Sequence, residues 1–182
     1  MPAPWQDLLD FWHSPAMRPA WFNSTPEIDQ ELRQRFEGLW RRAKAGELDD
    51  WAATPDGALA LVIILDQLPL NMYRGRPEAF STEARAIAVA KQALAQGHDA
   101  HIAKDRLQFL YMPLMHSEDL ADQDLCVALF SQAGLADNLR FAEHHRDIVR
   151  RFGRFPHRNT ILGRPSRPEE IDYLISPGAF QG

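Results

Sequence analysis

One cysteine in 182 residues, Cys126, has no partner for an internal disulfide, and it excludes both a Cys-based zinc site and a CxxC redox pair. A reducing compartment fits that scarcity. Long apolar runs are missing as well: the longest, Ala58 to Leu65, has eight residues, against roughly 20 for a membrane span. There is no excess of positive charge either. The net charge of −5 argues against a nucleic-acid binder held by bulk electrostatics. The opening Met1-Pro2-Ala3-Pro4-Trp5-Gln6-Asp7 lacks the basic n-region of a secretory signal, so the expected location is the cytoplasm. No phosphate loop, GxGxxG, GxSxG elbow or HExxH pair occurs, so neither cofactor nor metal is expected.

What is present is an ordinary globular composition, 45% hydrophobic and 25% charged, at a length that suits one domain over residues 1–182. Eight segments carry helical signals and none alternates with period two, so the expected fold is all-α. Trp5, Leu8, Leu9 and Trp12 share one helical face over Pro4 to His13. Pro26, after Ser24 and Thr25, opens a helix with the stripe Ile28, Leu32, Phe36 and Trp40, which Gly46 stops. The third, about Pro55 to Leu68, is apolar on nearly all sides and reads as a central helix broken by Pro69. Ser81 opens an alanine-rich helix to Gln96; another spans Asp105 to Met112 and ends at Pro113. Ser117 caps a helix from Glu118 to Ala133, and the last long one covers Asp137 to Phe152. Ser166 with Glu169 reads as a capping box for a short final helix.

Charge is unevenly spread. Residues 1–139 hold 12 Lys+Arg against 20 Asp+Glu, while 140–167 hold eight arginines, no lysine and two acids. Arginine's planar fork suits carboxylate or phosphate, so this segment is equipped to meet anions, whether a ligand's or the protein's own.

Three groups of residues stand out as chemistry-bearing. Asp66 follows Leu59, Val62 and Ile63 on one helical face, so its carboxylate is expected to be buried and paired, with Arg74, Arg76 or the Arg-rich segment as donor. It either locks the central helix or anchors an arginine that faces a ligand. His116, Ser117, Glu118 and Asp119 cluster at a helix start, where either an anion or simple capping is served. Arg140, His144, Asp147 and Arg151 fall within roughly 40° of one direction, a polar stripe beside Phe141, His145, Ile148 and Phe152. Beyond it, Arg154, His157 and Arg158 crowd a loop, either as a ligand site or as a strap. Trp21-Phe22, in a loop, is the tryptophan pair suited to lining a pocket.

Three stretches, Leu65-Asp66-Gln67-Leu68-Pro69-Leu70-Asn71-Met72-Tyr73-Arg74-Gly75, Phe109 to Asp119, and Arg151-Phe152-Gly153-Arg154-Phe155-Pro156-His157-Arg158-Asn159, resemble a bacterial family known as domain of unknown function 924. Leu9-Asp10-Phe11-Trp12 and Trp21-Phe22 fit as well, so the likeness covers nearly the whole chain. The resemblance implies an all-α fold similar to tetratricopeptide-repeat superhelices, built of antiparallel helical hairpins with about seven to nine helices, and it brings no established activity. The family pattern usually has arginine after the proline of the first motif; Leu70 stands there here, and any ligand contact of that arginine is missing from this chain.

The reading that results is a binding module whose concave, Arg-rich face takes an anionic small molecule or a protein or peptide partner. Asp66, Arg74, His116, Glu118, His144, Arg151, Arg154, His157 and Arg158 are the candidate contacts. The alternative is a hydrolase or transferase with a His/Glu/Arg cluster as acid, base and clamp. Whether the chain forms a homo-oligomer stays open.

Overall fold

The computed structural model describes residues 2–182, and among them the regular structure is helical throughout. Helices α1 (Gln6–Trp12), α2 (Pro26–Lys44), α3 (Pro55–Val62), α4 (Leu68–Met72), α5 (Glu83–Ala95), α6 (Lys104–His116), α7 (Leu120–Ala133), α8 (Ala136–Phe152) and α9 (Pro168–Leu174) follow in order, with short 3-10 turns between. No helix among the described residues is long and apolar enough to cross a membrane. The chain groups into two compact units, one made of residues up to Arg74 with Glu78–Pro113, the other of Gly75–Pro77 with Leu114–Gly182.

The first unit is built around α3. Thr54 accepts the Gly57 N–H at 3.2 Å and Pro55 presets the first turn, which satisfies a donor that the helix itself cannot. Gly57 is required by space: a Cβ there would run into the carbonyl oxygen of Trp51 in the preceding 3-10 turn. Ala58 through Leu65 are fully buried, as expected of a helix that is apolar all round. Each large aliphatic side chain among them contributes about 1.5–3 kcal/mol by leaving water. Leu32, Phe36, Trp40 and Ala43 of α2 and Ala86, Val89, Ala90 and Ala93 of α5 supply buried stripes to the same unit.

Two prolines expected to end helices do not. Between α3 and α4 the chain makes a π-turn over Ile63–Gln67, with Leu68 N–H bonded to Ile63 O, and the helix continues through Pro69 to Met72. An imino nitrogen at 69 leaves the Leu65 carbonyl without its helical donor. The Thr82 hydroxyl, 17 residues away, takes that carbonyl at 2.6 Å. Likewise α6 runs through Pro113 to His116, because proline's fixed φ is itself helical.

In the second unit, α7 and α8 are joined only by Gly134 and Leu135 and fold back as a hairpin. Gly134 adopts φ +64°, a left-handed conformation that favours glycine. Two caps lie one or two residues from their expected places. Asp119, not Ser117, caps α7 by accepting Ala121 N–H at 2.8 Å, and Ser117 instead donates to buried Asp122 at 2.8 Å. At the final helix Glu170, not Glu169, does the capping: its carboxylate accepts the Arg167 N–H at 2.7 Å while it also serves the Arg154 and Arg167 guanidinium groups, and no hydroxyl returns a bond from the N-cap. Ile148, Val149, Phe152 and Phe155 form this unit's apolar cluster, with Tyr173 and Phe180 packed against it. Phe141, expected on that stripe, is 60% exposed instead.

Candidate functional site

Asp66 lies in the π-turn and is buried, 4% exposed. Such turns carry a wider helical ring and recur at functional positions. Gln67 Nε2 donates to Asp66 Oδ2 at 2.6 Å and lies 3.6 Å from Met112 Sδ. Arg74, one of the donors expected for Asp66, points elsewhere: its guanidinium meets Asp29 at 3.1 Å and Asn71 Oδ1 at 3.0 Å. The reason is position, since Arg74 lies beyond the last turn of α4, where Asp29 of α2 is the carboxylate in reach.

That pairing lines a groove of about 360 Å³ in the first unit, between α2 and α4. Ser24, Asp29 and Arg33 form one wall; Asn71, Met72 and Arg74 form the other. The Arg33 guanidinium lies over the Tyr73 ring, 5.3 Å from its centroid, and its Nη2 donates to the Met72 carbonyl at the end of α4. Its Nε is buried with no hydrogen-bond partner. Tyr73 in turn donates to Glu37 at 2.6 Å, and burial together with that carboxylate pushes its pKa up to about 12. Of the groove's charges, Arg74 is 59% exposed while Asp29 is largely covered at 18%. The groove therefore offers two guanidinium groups against one carboxylate, and the more exposed cation can be withdrawn at small cost.

In the second unit the arginine segment is spent largely on internal partners. Arg164 grips both Glu118 oxygens, at 2.7 and 2.9 Å, while Phe155 N–H donates to the same carboxylate at 2.8 Å. Burial acts to raise the Glu118 pKa, yet Arg164 and the Phe155 N–H prevail and hold it below the usual glutamate value. Arg154 grips fully buried Glu170 with bonds of 2.7 and 2.8 Å, and Arg167 joins it at 3.0 Å. These bonds keep the Glu170 carboxyl ionised far below its ordinary range. Asn159 links the two clusters, donating to Glu170 at 3.1 Å and accepting from Arg164 at 3.1 Å. Arg158, buried, donates to the His116 carbonyl at 2.9 Å and stacks on Phe155. The second and third sequence motifs are thus brought together here. Arg151 is different: it is exposed, stacked on Phe152 and Tyr173 at 4.6 and 5.8 Å.

Histidines surround this network. His145 is buried, its Nδ1 2.7 Å from Phe141 O, and burial pushes its pKa down to about 3. His157, half-buried, is lowered to about 4 by burial and by Arg158. His144 is exposed and His116 half-buried. Among the described residues no group of three or more His, Cys, Asp or Glu is placed to hold a metal ion.

The family described as a bacterial protein of unknown function (DUF924) matches residues 8–178. The chain belongs to the DUF924 family. Among solved structures, this DUF924 chain is similar to the protein of unknown function ATU0120 from Agrobacterium tumefaciens, with 40% identity over 94% of this chain and 96% of that one, and a TM-score of 0.89. No curated protein matches. Sequence reasoning missed Arg33, Arg164, Glu170 and Asn159. A signal existed for Glu170, an acid within the expected final helix, but nothing local marks Arg33, whose partner lies 39 residues on.

Proposed function

We propose that this DUF924 protein is a binding module for a small anionic ligand, and that the groove between α2 and α4 receives it. The observation that carries the reading is the convergence there of Arg33, Asn71 and Arg74 around about 360 Å³, a volume within the range of small-molecule sites. Arg33 keeps a buried Nε without a partner, and Arg74 sits in an exposed ion pair that a ligand carboxylate or phosphate replaces with little loss. Arg154, Arg158 and Arg164, by contrast, are committed to Glu170, His116 O and Glu118, which supports an architectural role for the arginine segment. The same commitment weighs against an acid/base enzyme built on Glu118, whose oxygens are both gripped by Arg164.

The test is calorimetric titration with inorganic phosphate and with panels of phosphorylated and carboxylated metabolites. Arg33→Ala and Arg74→Ala are each expected to weaken the binding at least tenfold, the scale of a lost charge-assisted pair. Arg154→Lys is expected to leave it unchanged. Binding that survives both groove substitutions sinks the proposal.

A further inference from the structure

Residues 175–182, after α9, form an open strap over the second unit. Ile175 is 79% exposed, and Ser176, Pro177 and Gly178 are exposed with it. Past these the chain inserts one large side chain, Phe180. Its ring meets His145 at 4.5 Å between centroids and 61°, His157 at 4.9 Å and 89°, and His144 at 6.4 Å and 78°. Phe155 closes the floor, with its own ring 5.6 Å from His145 and 5.7 Å from His157.

Walls and plug are held very differently. His145 is fixed on α8 by its bond to Phe141 O, and Phe155 is fully buried with its N–H on Glu118. The strap carries three side-chain-mediated bonds to α9, Ser176 Oγ to Tyr173 O at 2.5 Å, Phe180 N–H to Tyr173 Oη at 2.9 Å and Gln181 Nε2 to Leu174 O at 3.1 Å, and none of them is made by the Phe180 ring. A hollow with its floor and one wall fixed to the body of the unit, stoppered by a ring on an exposed segment, is a site whose occupant can be exchanged. The edge-to-face geometry on three sides selects an aromatic ring over an aliphatic group of equal volume.

We propose that the hollow walled by His144, His145, His157 and Phe155 is a receptor site for a phenyl-type aromatic ring, filled in this structure by the chain's own Phe180 and taken over by an aromatic ligand when the strap leaves. It is separate from the groove of the first unit and stands whether or not that groove binds anions. At the floor, Arg158 lies over the Phe155 ring and Glu118 takes the Phe155 N–H; His116, Glu118, Arg158 and Arg164 are the charged and titratable groups that act on His157, whose pKa is lowered first by burial and then by Arg158.

The experiment is NMR of the histidine ring protons in the full chain and in Phe180→Ala. Each is titrated with benzyl alcohol, with cyclohexylmethanol and with the octapeptide of residues 175–182. Phe180→Ala is expected to bind benzyl alcohol or the octapeptide saturably through His145 and His157, at least tenfold more tightly than the parent chain, with Phe180→Trp staying closed. Tighter capture of the peptide identifies a chain segment as the natural occupant; capture of benzyl alcohol alone identifies a free aromatic molecule. The His157 midpoint is expected to rise from about 4 toward 6.5 in Phe180→Ala. Equal binding by Phe180→Ala and the parent chain, equal affinity for cyclohexylmethanol, absence of saturable binding, or an unmoved His157 midpoint each overturn the proposal. Phe180→Leu, which keeps apolar volume without the ring, is read in the same way if Phe180→Ala does not fold.

Discussion

The two units bury different things. In the first, α3 and the π-turn that follows it place eight consecutive apolar residues at zero exposure, and beside them the buried Asp66 carboxylate accepts a bond from the neutral Gln67 amide while Thr82 serves Leu65 O. In the second, the apolar core, with Leu114, Phe130 and Ala142 besides the cluster around Phe155, sits beside two carboxylates, Glu118 and Glu170, each gripped by arginine. Apolar burial is non-directional and tolerant of salt and pH, whereas a covered ion pair contributes only while both charges and their geometry persist. The first unit is therefore held by area, and the second by area together with matched charge. Their responses to substitution, acid and salt should separate accordingly.

The largest effects strike each unit at its own support. Leu61→Ala, at a fully buried position of α3, is expected to destabilise the first unit by about 4 kcal/mol through lost transfer energy and the cavity left behind. Glu170→Gln leaves Arg154 and Arg167 without their shared carboxylate and should cost about 3 kcal/mol in the second unit. Tryptophan fluorescence distinguishes them in urea, because all five tryptophans lie within residues 5–51 and report on the first unit alone. Leu61→Ala should shift the fluorescence midpoint, and Glu170→Gln should shift the circular-dichroism midpoint with the fluorescence midpoint in place. A fluorescence shift of equal size in Glu170→Gln breaks the comparison.

The first unit was the more legible in the sequence. An apolar run from Ala58 to Leu65 declares burial by composition alone, and Asp66 on the same face declares a buried carboxylate by spacing. What local pattern did not carry was the rescue of broken helices. Pro69 reads as a stop because the donor for Leu65 O comes from Thr82, which no window around residue 69 contains. Caps slipped for a related reason: Ser117 and Asp119 are both good caps, and tertiary demand from Asp122 decided between them. In the second unit, arginines and acids were visible as types, but their pairing spans 46 residues from Glu118 to Arg164, so whether they faced ligand or protein was not readable.

Acid should sharpen the contrast next. Burial holds His145 near 3 and His157 near 4, against 6.5 for the free imidazole, so the unfolded chain binds those protons first. The stability these histidines contribute is fully present above pH 6.5 and is lost as pH falls toward their folded values. Glu118 and Glu170, with depressed pKa values, act in the same direction lower down: their share is present above the ordinary 4.5 and declines below it. His13 gives the first unit a smaller trend of the same sign, its pKa lowered by burial. Between pH 7 and 4 the second unit should lose stability faster, checked by following helical circular dichroism and tryptophan fluorescence in the same acid series. Coincident losses at every pH count against two modes of support.

The smallest expected effect is the one that tests whether charge in the second unit matters by its burial or merely by its abundance. Arg140 and Asp137 of α8 form an ion pair at 76% and 84% side-chain exposure, and Arg154 and Glu170 form one at 22% and 0%. An exposed pair in high dielectric loses most of its attraction to screening and to side-chain entropy, so Arg140→Ala should shift stability by less than about 0.5 kcal/mol. Arg74→Ala in the first unit, at 59% exposure, should likewise leave folding within about 1 kcal/mol while weakening the proposed anion binding at least tenfold. If Arg140→Ala instead costs as much as breaking the Glu170 cluster, the support of the second unit is its summed field along α8, and the arginine-gripped carboxylates Glu118 and Glu170 lose their special place in the comparison.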